Sequence, residues 1–231
     1  MLDHNIHDLA ELRDRVRVFR DRAHAGEVLA GMLEKYRGSD ALLLAIPAGG
    51  VPVAAEIATR LKIAFDVIPV SKILFPWTTE SGFGAVAFDG TEWLNEDSIR
   101  HSRLDAESIR AATEIARDKV QQRIVKFRGA RPLPRLHDRM VIVVDDGIAA
   151  GSTIRVAVLA LSKAGAGKII IATPTAHDTA LYTLAPMVDA ICCANVRSGL
   201  SFAVADAYRR WTDVGDDEVM DILAQLHPAR S

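Results

Sequence analysis

The chain has 231 residues, of which 49% are hydrophobic and 25% charged, and its formal net charge is -2. These values are typical of a globular protein with a substantial core, and they give no sign of binding to nucleic acids or acidic membranes by bulk attraction. No run approaches the ~20 apolar residues of a membrane span, and the adjacent Cys192 and Cys193 lie in an apolar run.

The cysteines are therefore expected to be reduced core residues of a cytoplasmic protein. The N-terminal leader is charged and lacks the apolar core of a signal peptide, which agrees with a cytoplasmic location. His4 and His7 in this leader are spaced as a possible pair of metal ligands, but a disordered terminus is the favoured interpretation of this segment. From Asp21 to Tyr36 apolar residues recur at helical spacing and Gly38 follows, so a first helix is predicted.

A strand, a glycine turn and a helix come next. The apolar segment Ala41 to Ile46 runs through Pro47-Ala48-Gly49-Gly50 into a helix with Pro52 in its first turn. On its own, this pattern is explained by a tight connection between strand and helix. A second strand is predicted from Phe65 to Val70, and Lys72 follows it. Lys72 is either a solvated residue or a cation at the sheet edge where ligands gather.

Residues from about 73 to 95 are predicted to form a mobile flap that ends in a hairpin. Trp77 and Phe83 look exposed in this segment, and Asp89-Gly90 is a strong signal for a two-residue hairpin turn. A long amphipathic helix is then predicted from Asp105 to Arg128. Its expected buried face consists of Ile109, Ala112, Ile115, Ala116, Val120, Ile124 and Phe127.

The stretch VIVVDDGIAAGSTI, from Val141 to Ile154, organises the rest of the chain. Four β-branched residues predict a strand covered on both faces, and Asp145 and Asp146 follow at its ligand-binding end. The glycine-rich turn then offers unpaired N–H groups and hydroxyls at a helix start, which suits a phosphate. Neighbouring carboxylates suit a ribose diol or the waters around Mg2+. These features together indicate a sugar phosphate, whereas an ordinary turn and helix cap is the alternative explanation.

After this stretch the alternation of helix and strand continues. Helices are predicted from Ile154 to Ala164 and around Thr179 to Leu184, and strands at KIIIATPTAHD and from Val188 to Ala194. His177, at a strand end, is either a contact for a base or a surface or capping residue. The tail carries Phe202, Tyr208 and Trp211, which are either core residues or aromatic residues that stack on a flat base, before a final acidic helix.

The stretch from Val141 to Thr153 resembles the phosphoribosyl pyrophosphate (PRPP) motif of type I phosphoribosyltransferases. The order of segments, from the AIPAGGVPVA loop to the tail, also resembles members of that group whose acceptors are undefined. The resemblance implies transfer of the 5-phosphoribosyl group from Mg-PRPP to a nitrogenous base with release of pyrophosphate, or the reverse, as in nucleotide salvage. The implied partners are PRPP and a small base, with Mg2+ as cofactor. A homodimer is a further expectation.

The resemblance also implies roles for individual residues. Asp145 and Asp146 would act in catalysis by holding the ribose hydroxyls, and they would hold Mg2+ through water. The implied loop for the 5'-phosphate consists of Gly147, Ile148, Ala149, Ala150, Gly151, Ser152 and Thr153. The implied pyrophosphate site consists of Ala48, Gly49, Gly50 and the catalytic Lys72. The implied acceptor pocket consists of His177, Phe202, Tyr208 and Trp211, while Thr79 and Glu80 belong to the closing flap.

At two positions the chain departs from the family that it resembles. Relatives often carry Arg at the position of Ala48, and Thr or Ser at that of Ala150. These departures favour an alternative, a non-catalytic regulator that senses PRPP or a nucleotide on the same fold. The intact acidic pair and the flap favour the enzyme.

The order of elements predicts an α/β fold, with a mainly parallel sheet and helices on both faces, plus a small hood and a flexible flap or hairpin. A single domain is expected over residues 1–231, with a core from about 20 to 195 and a C-terminal hood from about 196 to 231.

Overall fold

Strands and helices alternate along most of the chain in the computed structural model, which describes residues 4–79 and 81–226. The strands are β1 (Ile6–His7), β2 (Leu42–Ala45), β3 (Ala64–Val67), β4 (Val70–Leu74), β5 (Gly82–Ala87), β6 (Glu92–Leu94), β7 (Met140–Val144), β8 (Lys168–His177) and β9 (Ala190–Arg197). The helices are α1 (Arg22–Met32), α2 (Gly50–Leu61), α3 (Glu96–Ser102), α4 (Ala106–Arg128), α5 (Ser152–Lys163), α6 (Asp178–Leu184) and α7 (Asp216–Leu226). The predicted α/β class is confirmed.

The central sheet contains six parallel strands in the order β1-β9-β8-β7-β2-β3. Its inner strands are buried almost continuously, without alternation, because both of their faces are covered. From β2 the chain moves outward to β3 and then returns to β7 on the other side of β2. This reversal is a topological switch point, where the loops after two neighbouring strands diverge and leave a crevice.

Helices cover both faces of the sheet, as predicted. On one face α1, α2 and α7 contribute Leu29, Ile57 and Leu223 to the core. On the other face α5 and α6 contribute Ile154 and Leu181. The thiols of Cys192 and Cys193 are free and buried, one in each of these two layers, so their predicted place in the core is confirmed. Within the part of the chain that is described, no helix is long and apolar enough to cross a membrane.

The predicted flap is mostly a three-stranded antiparallel sheet, in the order β4-β5-β6, that packs against α4. Trp77 is 65% exposed, as expected, and stacks on Phe75 with ring centroids 5.1 Å apart. The expectation that Phe83 is exposed is wrong. Phe83 lies in β5 and is completely buried, because its side of the strand faces the apolar side of α4.

The hairpin between β5 and β6 exists, but the two-residue turn predicted for it is wrong. The N–H of Ala87 donates to the Thr91 carbonyl at 2.8 Å, which leaves three residues, Phe88 to Gly90, in the loop. Gly90 has a φ of +83°, and its N–H donates to the Ala87 carbonyl. Three-residue hairpins commonly end on such a left-handed glycine.

The strand predicted from Phe65 to Val70 is divided between two sheets. Strand β3 ends at Val67, and β4 begins the small sheet at Val70. Pro69 stands between them and has no N–H to donate to a ladder. Lys72 therefore lies within β4 and not at the end of a core strand.

Two further predictions are wrong, and one helix has no counterpart among the predictions. Terminal disorder was expected around His4 and His7, but β1 pairs with β9 in parallel, with Ile6 buried. Helix α3 was not predicted; Asn95 caps it by accepting a hydrogen bond from the Ser98 N–H at 2.9 Å. On α4, Ile115 was placed on the buried face and is 70% exposed. The division into one core, flap and hood stays a prediction.

Candidate functional site

The glycine loops after β2 and β7 meet at the switch point of the sheet. A Cβ atom built on Gly49 would lie 2.0 Å from Oδ2 of Asp146, and one on Gly50 would lie 2.5 Å from the Val144 carbonyl oxygen. A larger residue at Gly49 would displace the Asp146 carboxylate, and one at Gly50 would displace the backbone of the other loop. Two loops that are about one hundred residues apart in the chain thus form one crevice at the carboxyl edge of the sheet.

Asp145 and Asp146 line this crevice as a pair of adjacent, partly buried carboxylates. The N–H of Asp146 donates to Oδ1 of Asp145 at 2.9 Å. Burial and the neighbouring charge of Asp146 raise the pKa of Asp145 well above its usual range, while the charge of Lys72 acts in the opposite direction. Lys72 therefore lies within electrostatic reach of the acidic pair, although it belongs to the small sheet.

Arg22, at the first position of α1, is a residue of the crevice that sequence reasoning missed. Its Nε donates to Oδ2 of Asp146 at 2.8 Å, and its Nη1 donates to the Thr212 carbonyl at 2.7 Å. Burial raises the pKa of Asp146, and the charge of Arg22 opposes that rise. A charged residue in the first turn of an amphipathic helix is normally expected to face solvent. No local signal in the sequence therefore links Arg22 to Asp146, which lies 124 positions away.

Tyr208 lies behind the acidic pair. Its hydroxyl donates to the Asp146 carbonyl at 2.6 Å, and its side chain is buried against the rings of Phe19 and Trp211. This contact holds the backbone of the loop and leaves little ring surface for a base. Trp211 is 37% exposed, and its ring lies 3.9 Å from the guanidinium carbon of Arg22.

The loop after β7 presents free hydrogen-bond donors. Among the described residues, the N–H groups of residues 149–153 and the hydroxyls of Ser152 and Thr153 have no acceptor. Gly151, with a φ of +78°, starts α5 without a side-chain cap. Ile148 differs, because its side chain is buried and its N–H donates to the Thr175 carbonyl at 2.9 Å. Such a cluster at a helix N-terminus can bind an anion.

The loop after β2 offers fewer donors than expected. The N–H of Gly50 donates to the Ile46 carbonyl at 3.1 Å, so it is engaged within the turn. Within the described residues, the N–H groups of Ala48 and Gly49 have no acceptor, and Lys72 has no ion-pair partner. The peptide bond between Pro47 and Ala48 is cis.

His177 and Phe202 lie together at the end of β8. The ring of His177 contacts the Gly199 carbonyl through Nε2 and the Thr179 hydroxyl through Nδ1, both at 2.8 Å, and it caps α6. Phe202 packs edge-on against this ring with centroids 5.5 Å apart. Both ring nitrogens are thus engaged within the protein. Of the predicted flap contacts, Thr79 is exposed and Glu80 lies outside the described residues.

The oxygen ligands that the crevice offers to Mg2+ are the carboxylates of Asp145 and Asp146. No group of three or more His, Cys, Asp or Glu side chains that could hold a metal ion is found among residues 4–79 and 81–226. Two neighbouring carboxylates do fit the usual mode for this ion, which is held by one or two carboxylates, water and the phosphates of a substrate. The crevice thus fits a metal that arrives with a phosphorylated ligand.

Comparison with known proteins gives relatives over nearly the whole chain. No protein-family model matches. Two proteins of Mycobacterium tuberculosis, each named a "putative phosphoribosyl transferase", are 36% identical over 212 residues, which is 92% of this chain and 48% of theirs. The chain therefore spans about half the length of these curated relatives. The crystal structure of TT1426 from Thermus thermophilus has 31% identity and a TM-score of 0.72, over 90% of this chain and 98% of that one.

Proposed function

We propose a function for this chain on the basis that it belongs to the same phosphoribosyltransferase family as its Mycobacterium tuberculosis relatives. It transfers the 5-phosphoribosyl group of PRPP to a nitrogenous base and releases pyrophosphate, or it catalyses the reverse reaction. One observation carries the proposal: the acidic pair and two glycine loops with free N–H groups meet in a single crevice. The proposed setting is the cytoplasm, with PRPP and a small base as partners.

In this proposal Asp145 and Asp146 accept hydrogen bonds from the two ribose hydroxyls. Ionised carboxylates only accept, so a neighbouring pair matches a diol. Their negative charge also stabilises the positive charge that develops on the ribose as the bond to pyrophosphate breaks. Arg22 and Lys72, one near each carboxylate, favour the ionised form that this role requires.

The two phosphate groups would be held by the two loops. The free N–H groups of residues 149–153, with the hydroxyls of Ser152 and Thr153, suit the 5'-phosphate at the start of α5. The N–H groups of Ala48 and Gly49, with the ammonium group of Lys72, suit the leaving pyrophosphate. Ile148 and Gly50 contribute by shaping the loops, since their N–H groups are engaged within the protein.

Mg2+ bound with PRPP would be held by Asp145 and Asp146 through water, and it would neutralise part of the pyrophosphate charge. The base would lie near Trp211, whose ring is partly exposed beside the crevice. The residues from Phe75 to Thr79, which follow β4 of the small sheet, would close over the ligand and exclude water.

The first test is calorimetric titration of PRPP with and without Mg2+, followed by a screen for pyrophosphate release with purine, pyrimidine and pyridine bases. Mg-dependent binding and release with one base would support the enzyme and identify its acceptor. Binding without release from any base would instead favour the regulator that senses PRPP.

Asp145→Asn and Asp146→Asn test the site itself. Each variant keeps the size of the side chain and removes the charge, so PRPP binding should weaken at least about tenfold if a charge-assisted hydrogen bond is lost. If both variants bind PRPP as the wild type does, the assignment of the acidic pair is wrong.

A further inference from the structure

Arg22 is a cation with a largely covered side chain whose hydrogen bonds are incomplete. Its side chain is only 10% exposed. Nε and Nη1 have acceptors, but Nη2 has none among the described residues. By covalent geometry Nη2 shares an edge of the planar guanidinium with Nε, and Nε faces Asp146. A buried donor without an acceptor is costly, so this edge of Arg22 is suited to an oxygen of a ligand in the crevice.

Arg22 lies on the side of the crevice that is formed by the loop at the start of α2. The oxygen that accepts from Arg22, Oδ2 of Asp146, is the atom that a Cβ on Gly49 would approach to 2.0 Å. One turn further along both helices, a Cβ on Gly26 would lie 2.6 Å from the Val53 carbonyl oxygen, so α1 and α2 are in backbone contact. Arg22 therefore stands beside the loop at the start of α2.

That loop has no charge of its own. Its residues are Pro47, Ala48, Gly49 and Gly50, and Ala48 and Gly49 offer only their N–H groups. A pyrophosphate bound there would be stabilised by positive charge in addition to that of Lys72 and Mg2+, because the N–H groups of the loop carry no net charge. Arg22 lies next to the loop, and its contacts within the fold hold its positive charge there.

The C-terminal segment holds Arg22 in place. The Trp211 ring covers the guanidinium at 3.9 Å, the Tyr208 ring lies 5.9 Å away, and the Thr212 carbonyl accepts from Nη1. These contacts restrict the side chain before any ligand binds, which lowers the entropy cost of binding. The residues from Tyr208 to Thr212 therefore complete one side of the crevice.

We propose that Arg22 is a binding residue for the pyrophosphate group of PRPP, donating through Nη2 to one of its oxygens while Nε keeps Asp146 in position. This inference rests on the proposed function and adds to it a cation that the loop of residues 47–50 lacks. Arg22 contacts the pyrophosphate end of the ligand, whereas the 5'-phosphate lies on the loop of residues 149–153.

The test compares two ligands that differ at this end. Calorimetry with Mg2+ gives the affinities of PRPP and of ribose 5-phosphate, which lacks pyrophosphate, for the wild type, Arg22→Gln and Arg22→Lys. In Arg22→Gln the ratio of the two affinities should fall about tenfold or more, since a charge-assisted hydrogen bond is lost for PRPP alone. Arg22→Lys should show a smaller fall in the same direction, because an ammonium cannot replace the planar fork.

Arg20→Gln is the matched control. Arg20 carries the same charge two residues away, but it is 63% exposed and only distantly paired with Glu27 at 3.9 Å, so neither affinity should change. Thermal unfolding of each variant verifies its fold, and Arg22→Lys carries the test if Arg22→Gln does not fold.

The outcomes separate this inference from the proposed function. If Arg22→Gln or Arg22→Lys weakens both ligands equally, Arg22 acts only through Asp146 and the inference is overturned. Unchanged PRPP affinity in these variants overturns it as well, while the proposed function stands. If the wild type binds neither ligand, the proposed function fails and the inference fails with it.

Discussion

Asp146 is the residue of the crevice whose position is fixed by contacts with both its side chain and its backbone. Its Oδ2 lies against the backbone of Gly49 and accepts from Arg22, and its carbonyl accepts from Tyr208. These contacts come from three separate parts of the chain. A residue held from three sides cannot move far, so a change that removes the space around its carboxylate should affect ligand binding before it affects the fold.

Gly49→Ala tests the space around Asp146. Gly49 has helical angles, φ -61° and ψ -33°, that alanine adopts easily, so the backbone should tolerate the change. The new methyl group would meet Oδ2 of Asp146 at 2.0 Å and displace the carboxylate. We expect the thermal midpoint to stay close to that of the wild type while calorimetry shows PRPP affinity reduced at least about tenfold, the usual effect of losing a charge-assisted contact.

Gly31→Ala is the control for that substitution. Gly31 lies in α1, and a Cβ there would meet nothing within 4 Å. Alanine should stabilise the helix by about 0.5 to 1 kcal/mol and leave PRPP binding unchanged. A Gly49→Ala variant that binds PRPP as tightly as Gly31→Ala would contradict the proposed role of Asp146.

Tyr208→Phe tests the hydroxyl that supports the loop. The substitution keeps the ring between Phe19 and Trp211 and removes the donor to the Asp146 carbonyl. We expect the free energy of unfolding to fall by about 1 to 2 kcal/mol, because a buried carbonyl loses its partner. Urea denaturation measures this loss, and Tyr182→Phe, at an exposed tyrosine, should change stability by less than about 0.5 kcal/mol.

At the scale of the elements, α4 shows that an apolar residue in a helical pattern is not always buried. Val120 is 1% exposed in the core beneath the small sheet, whereas Ile115 is 70% exposed, although the sequence pattern placed both on one face. Val120→Ala should lower the free energy of unfolding by about 2 kcal/mol, the sum of two lost methyl groups and a cavity. Ile115→Ala should lie within about 0.5 kcal/mol of the wild type by the same denaturation experiment. Similar losses in both variants would mean that Ile115 is covered in solution.

The elements that sequence reasoning predicted well are those with strong local signals. The buried strand β7 follows from its β-branched run, and α4 follows from its apolar period. The end of β3 has a local signal in Pro69, which has no N–H to donate to a strand ladder. Helix α3, with seven residues, is too short for a clear period, and its markers are the Asn95 cap and the charged residues in its first and last turns. The burial of Phe83 depends on α4, which lies more than twenty residues further along the chain, so no local pattern reveals it.

At the scale of the whole molecule, the crevice joins segments that the chain keeps far apart. The two glycine loops could be predicted, because parallel strands bring their carboxyl ends to one edge. Arg22 and the residues from Tyr208 to Thr212 could not, because their contacts depend on how α1 and the C-terminal segment pack. The sequence therefore predicts the two loops of the crevice, and only the packing of the fold reveals the residues that surround them.

A ligand held by so many segments should stabilise the whole fold. Binding only to the native state adds about 2.7 kcal/mol when the ligand concentration is 100 times Kd. For a chain of this length, that gain corresponds to a rise of about 5 to 10 °C in the unfolding midpoint. Differential scanning calorimetry with Mg2+ and PRPP should show this rise in the wild type and in Arg20→Gln. At the same PRPP concentration, it should be largely lost in a variant that carries both Asp145→Asn and Asp146→Asn. An equal rise in that double variant would mean that PRPP binds elsewhere, since its ribose contacts in the crevice would then contribute nothing.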